Sequence, residues 1–313
     1  MDVSGIMVIY PSYHVGRIQY GGFMNRTISK HYASWTVLGI LLVLNIFIWT
    51  ATMRADRHGV LTVAFLGVGQ GDAIYIEAPN GNQMLIDGGV SSGAILRPLG
   101  RVMPFFDRSL DLVLATHPDQ DHVGGLPSVL DRLSVDGVVT TENTSDTGAY
   151  AAFENAIERE HAKRILARTG ERIILDEGVV LEILFPAQST AGWETNMGSI
   201  VARLSYGNTS FLFTGDSPIA IEKYLVGREG GLLKTDVLKL GHHGSRTSSS
   251  CEFLSAVNPE YAIISAGKDN KYGHPHKEVT ALLEELKISA RSTAEQGTLI
   301  FKSDGETVRG EHK

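Results

Sequence analysis

Between Thr116 and Gly125 the chain reads THPDQDHVGG, which puts His117, Asp119, Asp121 and His122 within six consecutive residues. Further along, Asp216 closes SFLFTGD, His242 and His243 close DVLKLGHH, and His274 and His276 lie in YGHPHK. Imidazole and carboxylate together suit Zn, Mn or Fe, and one aspartate can bridge two ions. Two ions about 3.5–4 Å apart can position and activate a water and stabilise the leaving oxygen of a hydrolysed ester. Cys251 is the single cysteine, so neither an intramolecular disulfide nor a thiolate site is available and any metal must be held by histidine and carboxylate. His14, His31, His58, His161 and His312 stand outside these groups and carry no assigned chemistry.

The elements that must position these residues are apolar runs marked off by glycine turns. LTVAFLGV (61–68), AIYIEA (73–78), QMLIDGG (83–89) and LDLVLATH (110–117) read as strands, with a helix over 94–102 and another starting near Asp121. The segment 149–165 shows helical spacing, followed by strands at VVLEILFP, SIVARLSYG and TSFLFTGD and a short helix at 218–226. TDVLKLGHHGS and YAIISAG repeat the strand-then-loop design, and 277–287 is an amphipathic helix. Strands with interspersed helices predict two sheets packed face to face with helices outside. Loops at strand ends are where functional groups converge.

A chain of 313 residues with 43% hydrophobic content can bury a sizeable core, and its net charge of −7 argues against a generic nucleic-acid-coating protein. From Trp35 to Met53 it runs WTVLGILLVLNIFIWTATM without a charge, about the length that crosses a bilayer as a helix, with tryptophans suited to the interfaces. Arg17, Arg26 and Lys30 before it place the N-terminus in the cytoplasm by the positive-inside rule, against which Arg54 and Arg57 count. The expected organisation is a cytoplasmic segment 1–34, a transmembrane anchor 35–53, and one domain over 58–313. Cleavage near Ala51 or Ala55 would make the protein secreted instead. Residues 1–53 carry Arg17, Arg26, Lys30 and Asp2, so the remainder, with 25 basic and 34 acidic residues, has a net charge of −9.

THPDQDH resembles the HxHxDH motif of the metallo-β-lactamase superfamily, with Asp119 where that motif has its second histidine. FLGVGQGDAIYI, LIDGG, THPDQDHVGGL, FLFTGD, LGHHGS and YGHP together resemble the hydrolase domain of ComEC-type competence proteins, in the same order and over nearly all of residues 60–305, without the channel helices. The resemblance implies an αββα sandwich with two divalent ions, Zn or Mn, at one edge. His117 and Asp119 would bind the first; Asp121, His122 and His242 the second; Asp216 would bridge. A third histidine of the first site falls on or near Asn196, a weaker oxygen donor and a candidate substrate contact. Loss of two imidazoles favours a harder ion such as Mn.

Other residues carry paired readings. Asp216 either bridges metals or caps the next helix. His242 leaves its strand first and is preferred as ligand, with His243 touching substrate or structure. His274 and His243 are candidate acids for the leaving oxygen beside Asp121, and His276 is a solvent-facing helix-start residue. Gly244-Ser245 offers donors to a phosphate or forms a tight turn. Asp87 orients a ligand from behind or forms a turn. Gly67 stands where the ComEC-like pattern commonly has aspartate. Lys239, Arg246, Lys268, Lys271 and Lys277 cluster in sequence around the site as a basic rim. The implied function is a membrane-anchored, extracytoplasmic phosphodiesterase or nuclease acting on single-stranded DNA in DNA uptake, with DNA-uptake or envelope proteins as partners. Hydrolysis of an ester, thioester or lactam is the second reading, and a non-catalytic binding module of an envelope assembly the third.

Overall fold

A computed structural model of the chain describes residues 24–55 and 59–311. It divides into two compact units, residues 1–56 and residues 57–313. In the first, the described part is one helix, α1 (Met24–Ala55). Its side chains from 34 to 49 are exposed, Trp35, Leu41, Phe47 and Trp49 among them. Among the described residues no helix is long and apolar enough to cross a membrane; the side chains of the expected span beyond residue 49, and the expected N-terminal segment up to residue 23, lie outside the described residues.

The second unit begins with β1 (Leu61–Phe65), β2 (Ile74–Glu77), β3 (Gln83–Ile86), α2 (Ser92–Val102) and β4 (Ser109–Leu114). Next come α3 (Gln120–Val123), α4 (Leu126–Leu130), β5 (Ser134–Thr140), α5 (Gly148–Glu160) and β6 (Lys163–Leu166). The chain continues through β7 (Arg172–Asp176), β8 (Val179–Phe185), β9 (Val201–Tyr206), β10 (Thr209–Phe213), α6 (Ile219–Glu229) and β11 (Val237–Lys239). It finishes with α7 (Cys251–Val257), β12 (Tyr261–Ile264), α8 (Lys277–Glu285), β13 (Ser289–Ser292), α9 (Thr293–Gln296), β14 (Leu299–Ser303) and β15 (Val308–Glu311). One sheet has the order β15-β14-β1-β2-β3-β4-β5-β6 and the other β13-β12-β11-β10-β9-β8-β7.

Period-two alternation sorts the side chains into three cores. Leu61, Val63 and Phe65 of β1 meet Phe211 and Phe213 of β10 between the sheets. Ala64 and Leu66 face the layer of α2, α4 and α5 through Ile95, Leu126 and Phe153. Leu212 and Leu238 face α6, α7 and α8 through Leu225, Phe253 and Leu283. Strands buried on both faces read as near-continuous apolar runs, which is why the central strands were legible. The Phe65 and Phe213 rings pack 6.2 Å apart across the inner core, and burying each such ring stabilises the fold by about 1.5–3 kcal/mol.

Two expectations need correction. The helix expected over 149–165 stops at Glu160, where His161 takes a left-handed φ of 57°, and residues 163–166 pair with β5 as a parallel strand. Helical spacing in the apolar residues outran the pairing that β5 imposes. The helix expected from Asp121 through GGLPSVL is two short pieces, α3 and α4, divided at Gly124-Gly125.

Candidate metal centre

The carboxyl ends of parallel strands gather the ligands. β3 and β4 run parallel in one sheet, and β10, β11 and β12 run parallel in the other. Asp87 follows β3, His117 follows β4, Asp216 follows β10, and His242 and His243 follow β11. Chain reversals there demand unusual backbone: Asp87, His242 and His243 have φ of 57°, 48° and 57°. Left-handed non-glycine residues cost on the order of 1–3 kcal/mol each and concentrate at functional sites. Gly71, at φ 107°, lets the GQGD loop pass under the ligand loop, since a Cβ there would lie 2.0 Å from the Asp121 carbonyl oxygen.

Asp216 is the hub. Its Oδ1 lies 3.3 Å from His122 Nε2, and its Oδ2 lies 3.5 Å from His243 Nε2, 3.8 Å from His242 Nε2 and 4.0 Å from His117 Nε2. Asp121 Oδ2 is 3.3 Å from His243 Nε2, and Asp119 Oδ2 is 3.7 Å from His117 Nε2. The sets His117–His122–Asp216, Asp121–His122–His243 and Asp72–Asp216–His243 each converge closely enough to hold one ion.

Behind two of the imidazoles stands a carboxylate. Asp87 Oδ2 is 2.8 Å from His122 Nδ1, and its carboxylate also accepts the Thr116 hydroxyl and backbone N–H at 2.7 and 2.8 Å. This leaves His122 Nε2 facing Asp216, the arrangement by which a second carboxylate orients a ligating histidine. Asp72 Oδ1 lies 3.3 Å from His243 Nδ1, and its Oδ2 lies 2.6 Å from Lys239 Nζ. Lys239 also donates to the Leu240 carbonyl at 2.8 Å and is 1% exposed.

Burial resists charge throughout the cluster, and the neighbours decide the outcome. Burial, reinforced by repulsion from His122, lowers the His117 pKa to about 3. At His243 burial is outweighed by Asp216 and Asp72, and the pKa rises to about 9. At His122 burial loses to Asp216 and Asp87, which hold it well above the usual imidazole value. Asp216 stays far below the carboxylate range because His243 and His122 overcome its burial. Burial raises Asp119 and, with repulsion from three imidazoles, lowers His274 to about 4.

The expected site residues fall into place unequally. His117, Asp121, His122 and Asp216 come together, with Asp119 at the rim, its side chain 35% exposed. Asp216 does not cap the following helix: Pro218 holds the N-cap position without a side-chain bond. Of the two adjacent histidines, His243 is buried inside the converging sets, whereas His242 is 29% exposed, its Nδ1 3.1 Å from the Thr247 hydroxyl. Two successive left-handed residues turn the second imidazole inward.

Asn196 opens the turn that leads to Ile200, whose N–H donates to the Thr116 carbonyl at 2.9 Å, and its Oδ1 is buried without a partner. Ser245 is buried and its hydroxyl is 3.0 Å from that of Thr247. The His274 ring sits 5.4 Å from that of His242 and 6.1 Å from that of His243. His276 is half-buried at the N-cap position of α8, its Nδ1 accepting the Arg246 N–H at 3.1 Å. Gly67 packs against Gly297 and Thr298, 3.1 Å from the former at its would-be Cβ.

Lys239 is no part of a basic rim. It shares the inward face of β11 with Val237, and its charge is spent on Asp72. Asp72 and Lys239 were missed as functional residues; the available signal was a lysine alternating with apolar residues inside a buried strand.

The donor set fits a metal. His117 Nε2, His122 Nε2, His243 Nε2 and Asp216 Oδ1 are buried with no hydrogen-bond partner. Leaving a buried polar group unpaired costs about 1–3 kcal/mol, and four such atoms in overlapping ligand sets are explained by bound cations. Two-histidine sets with carboxylate oxygens suit Zn or Mn in their chemistry.

This αββα sandwich with histidine and aspartate donors at the strand ends defines the class: residues 66–268 match the metallo-beta-lactamase superfamily, and the chain belongs to it. It is 31% identical over 261 residues to ComE operon protein 3 of Bacillus subtilis (strain 168), covering 77% of this chain and 33% of that protein. Competence protein ComA of Neisseria gonorrhoeae is 32% identical over 74% of this chain and 31% of its own length. The chain thus spans about a third of the length of these relatives. Among solved structures, the metallo-beta-lactamase fold protein YhfI from Bacillus subtilis shares the fold with a TM-score of 0.53 at 12% identity, over 78% of this chain and 99% of that one. The domain is a metallo-β-lactamase-fold hydrolase domain related to ComEC-type competence proteins.

Proposed function

We propose that the domain hydrolyses phosphodiester bonds, with DNA as the polymer substrate, and that residues 35–53 anchor it on the outer side of the cytoplasmic membrane. The observation that carries the hydrolase reading is the buried, partnerless convergence of His117, His122, His243 and Asp216. The relative named for competence favours DNA over a lactam, an ester or a thioester. The uncharged run and the exposed side chains of α1 support the anchor.

When bound, two divalent ions supply Lewis acidity at a phosphoryl oxygen and lower the pKa of water. His117 and Asp119 would hold one, Asp121, His122 and His243 the other, with Asp216 shared. Asp87 and Asp72 keep His122 and His243 turned toward Asp216. His243 is buried with both ring nitrogens facing the carboxylates of Asp72, Asp121 and Asp216, so the contact to the leaving oxygen falls to His274. Its pKa of about 4 makes it neutral at pH 7, able to donate an N–H bond. Lys268, Lys271 and Lys277, exposed on the segment that carries His274, suit a polyanion despite the overall negative charge. DNA-uptake or envelope proteins would deliver the strand.

The test is cleavage of end-labelled single-stranded DNA with Mn or Zn, beside Asp121→Ala. Metal-dependent cleavage lost in the variant, with Mn at least as effective as Zn, is expected. No metal uptake, or activity on lactam probes alone, overturns the reading.

A further inference from the structure

We propose that the loop 103–108, led by Phe105 and Phe106, docks on an anionic lipid surface and holds the catalytic domain with its donor cluster facing away from the bilayer. The inference rests on the reading of residues 35–53 as an anchor.

Phe105 and Phe106 are 78% and 80% exposed, more than any other described large apolar side chain of the second unit. Their rings meet edge to face at 5.0 Å, so the pair forms one apolar knob. The loop beneath is built to present it. The Asp107 N–H donates to the Pro104 carbonyl at 3.0 Å. The Asp107 carboxylate accepts the Ser109 N–H and hydroxyl at 3.1 and 2.8 Å and the Gln83 side-chain amide. A hydrogen-bonded loop with two adjacent exposed rings at its tip is a poor solution in water and a good one at an acyl-chain boundary.

The charge around the knob has the sign that anionic headgroups require. Arg101 closes α2 just before it, Arg108 follows it, and the Ser134 N–H bound to the Arg108 carbonyl at 2.9 Å brings the Arg132 turn alongside. All three arginines are exposed, and none forms an ion pair among the described residues. Of the acids nearby, Asp131 is paired with Arg159 at 2.7 Å, and the Asp107 carboxylate, turned into its own loop by the Ser109 and Gln83 hydrogen bonds, leaves the three arginines in excess. Arginines held at a leaflet surface are attracted to anionic lipid.

Topology supplies the orientation. β1 is antiparallel to β2, β2 to β3, and β3 is parallel to β4, so β1 and β4 start at the same end of their sheet. Register ties that end together as the row Thr62–Glu77–Gln83, beside Asp111 of β4. The first strand of the domain therefore starts at the end that carries the phenylalanine pair. His117 follows the opposite end of β4, whose six residues extend about 20 Å. Docking the knob leaves the donor cluster on the far side of the domain, open to a polymer arriving from outside.

The full-length chain would be reconstituted in phosphatidylcholine vesicles with and without phosphatidylglycerol. An environment-sensitive fluorophore would be placed on Phe106→Cys in a Cys251→Ser background. A matched control carries it on native Cys251, exposed at the start of α7 on the cluster side. Flotation with the vesicles reports the anchor separately. The expected result is flotation, with a blue shift and loss of most fluorescence to a doxyl-lipid quencher at position 106, stronger with phosphatidylglycerol, and neither change at position 251. Flotation with a water-like label at 106 overturns the docking while the anchor stands; failure to float overturns both. A concentration-dependent blue shift in detergent without lipid would assign the pair to contact between copies of the chain, and also overturns the docking.

Discussion

Replacing Lys239 by methionine removes the cation that does most to lower the buried Asp72 carboxyl, at nearly constant volume. Lys239 Nζ lies 2.6 Å from Asp72 Oδ2 with both side chains almost fully buried. Deleting one partner of such a pair costs about 3–5 kcal/mol, whereas neutralising both is close to neutral. Lys239→Met in the domain 57–313 should therefore lower unfolding free energy by about 3–5 kcal/mol. The double variant with Asp72→Asn should recover most of it, which requires a coupling at least as large as the single loss.

The pH dependence of that loss has a definite sign. In the native protein, burial of Asp72 is overcome chiefly by Lys239, and its pKa lies below the ordinary 3.8. The pair's stabilisation is then present above that value and lost as pH falls through the folded pKa. Without Lys239 the folded pKa of Asp72 should rise, and the deficit should shrink as pH falls through it. Urea unfolding of the four proteins of the cycle reads both effects. A single variant within about 1 kcal/mol of the parent, or a double variant as unstable as the sum of the singles, refutes the reasoning.

Other consequences are as direct. Metal loading of the apo domain at pH 7.5 should release on the order of two protons, because His122 is held above its usual value and His243 near 9; calorimetry in buffers of different ionisation enthalpy counts them, and affinity should climb with pH up to about 9. Gly71→Ala would drive a Cβ to within 2.0 Å of the Asp121 carbonyl oxygen at a φ of 107°, so metal affinity should fall at least about tenfold with a stability loss of about 1–3 kcal/mol. Asp119→His returns a nitrogen donor beside His117, and competitive titration should show the Zn-to-Mn affinity ratio rising. Phe211→Ala, emptying a fully buried position between the sheets, should cost about 3–5 kcal/mol while leaving the metal stoichiometry of the folded fraction unchanged.

Residue identity and order alone determined much of the protein. THPDQDH at the end of an apolar run, Asp216 at the end of another and the histidine pair after a third announced a strand-end metal site, because buried strands are long enough in period and apolar content to be read locally. The edge strands were not legible. β13 and β15 are mostly exposed, so nothing in their pattern separates them from loop, and only pairing with β12 and β14 makes them strands. The helix that ends at Glu160 shows the same limit, since β5 decides what residues 163–166 become.

At the site, tertiary structure settled three matters that spacing could not. Left-handed backbone at two adjacent residues turned His243 inward and left His242 at the rim. The parity of β11 sent Lys239 to Asp72 instead of to the surface. The antiparallel and parallel pairings of β1 to β4 put the start of the first strand and the phenylalanine pair at one end and the donors at the other. Sequence spacing is a local quantity, whereas each of these outcomes depends on which distant strand a residue is packed against.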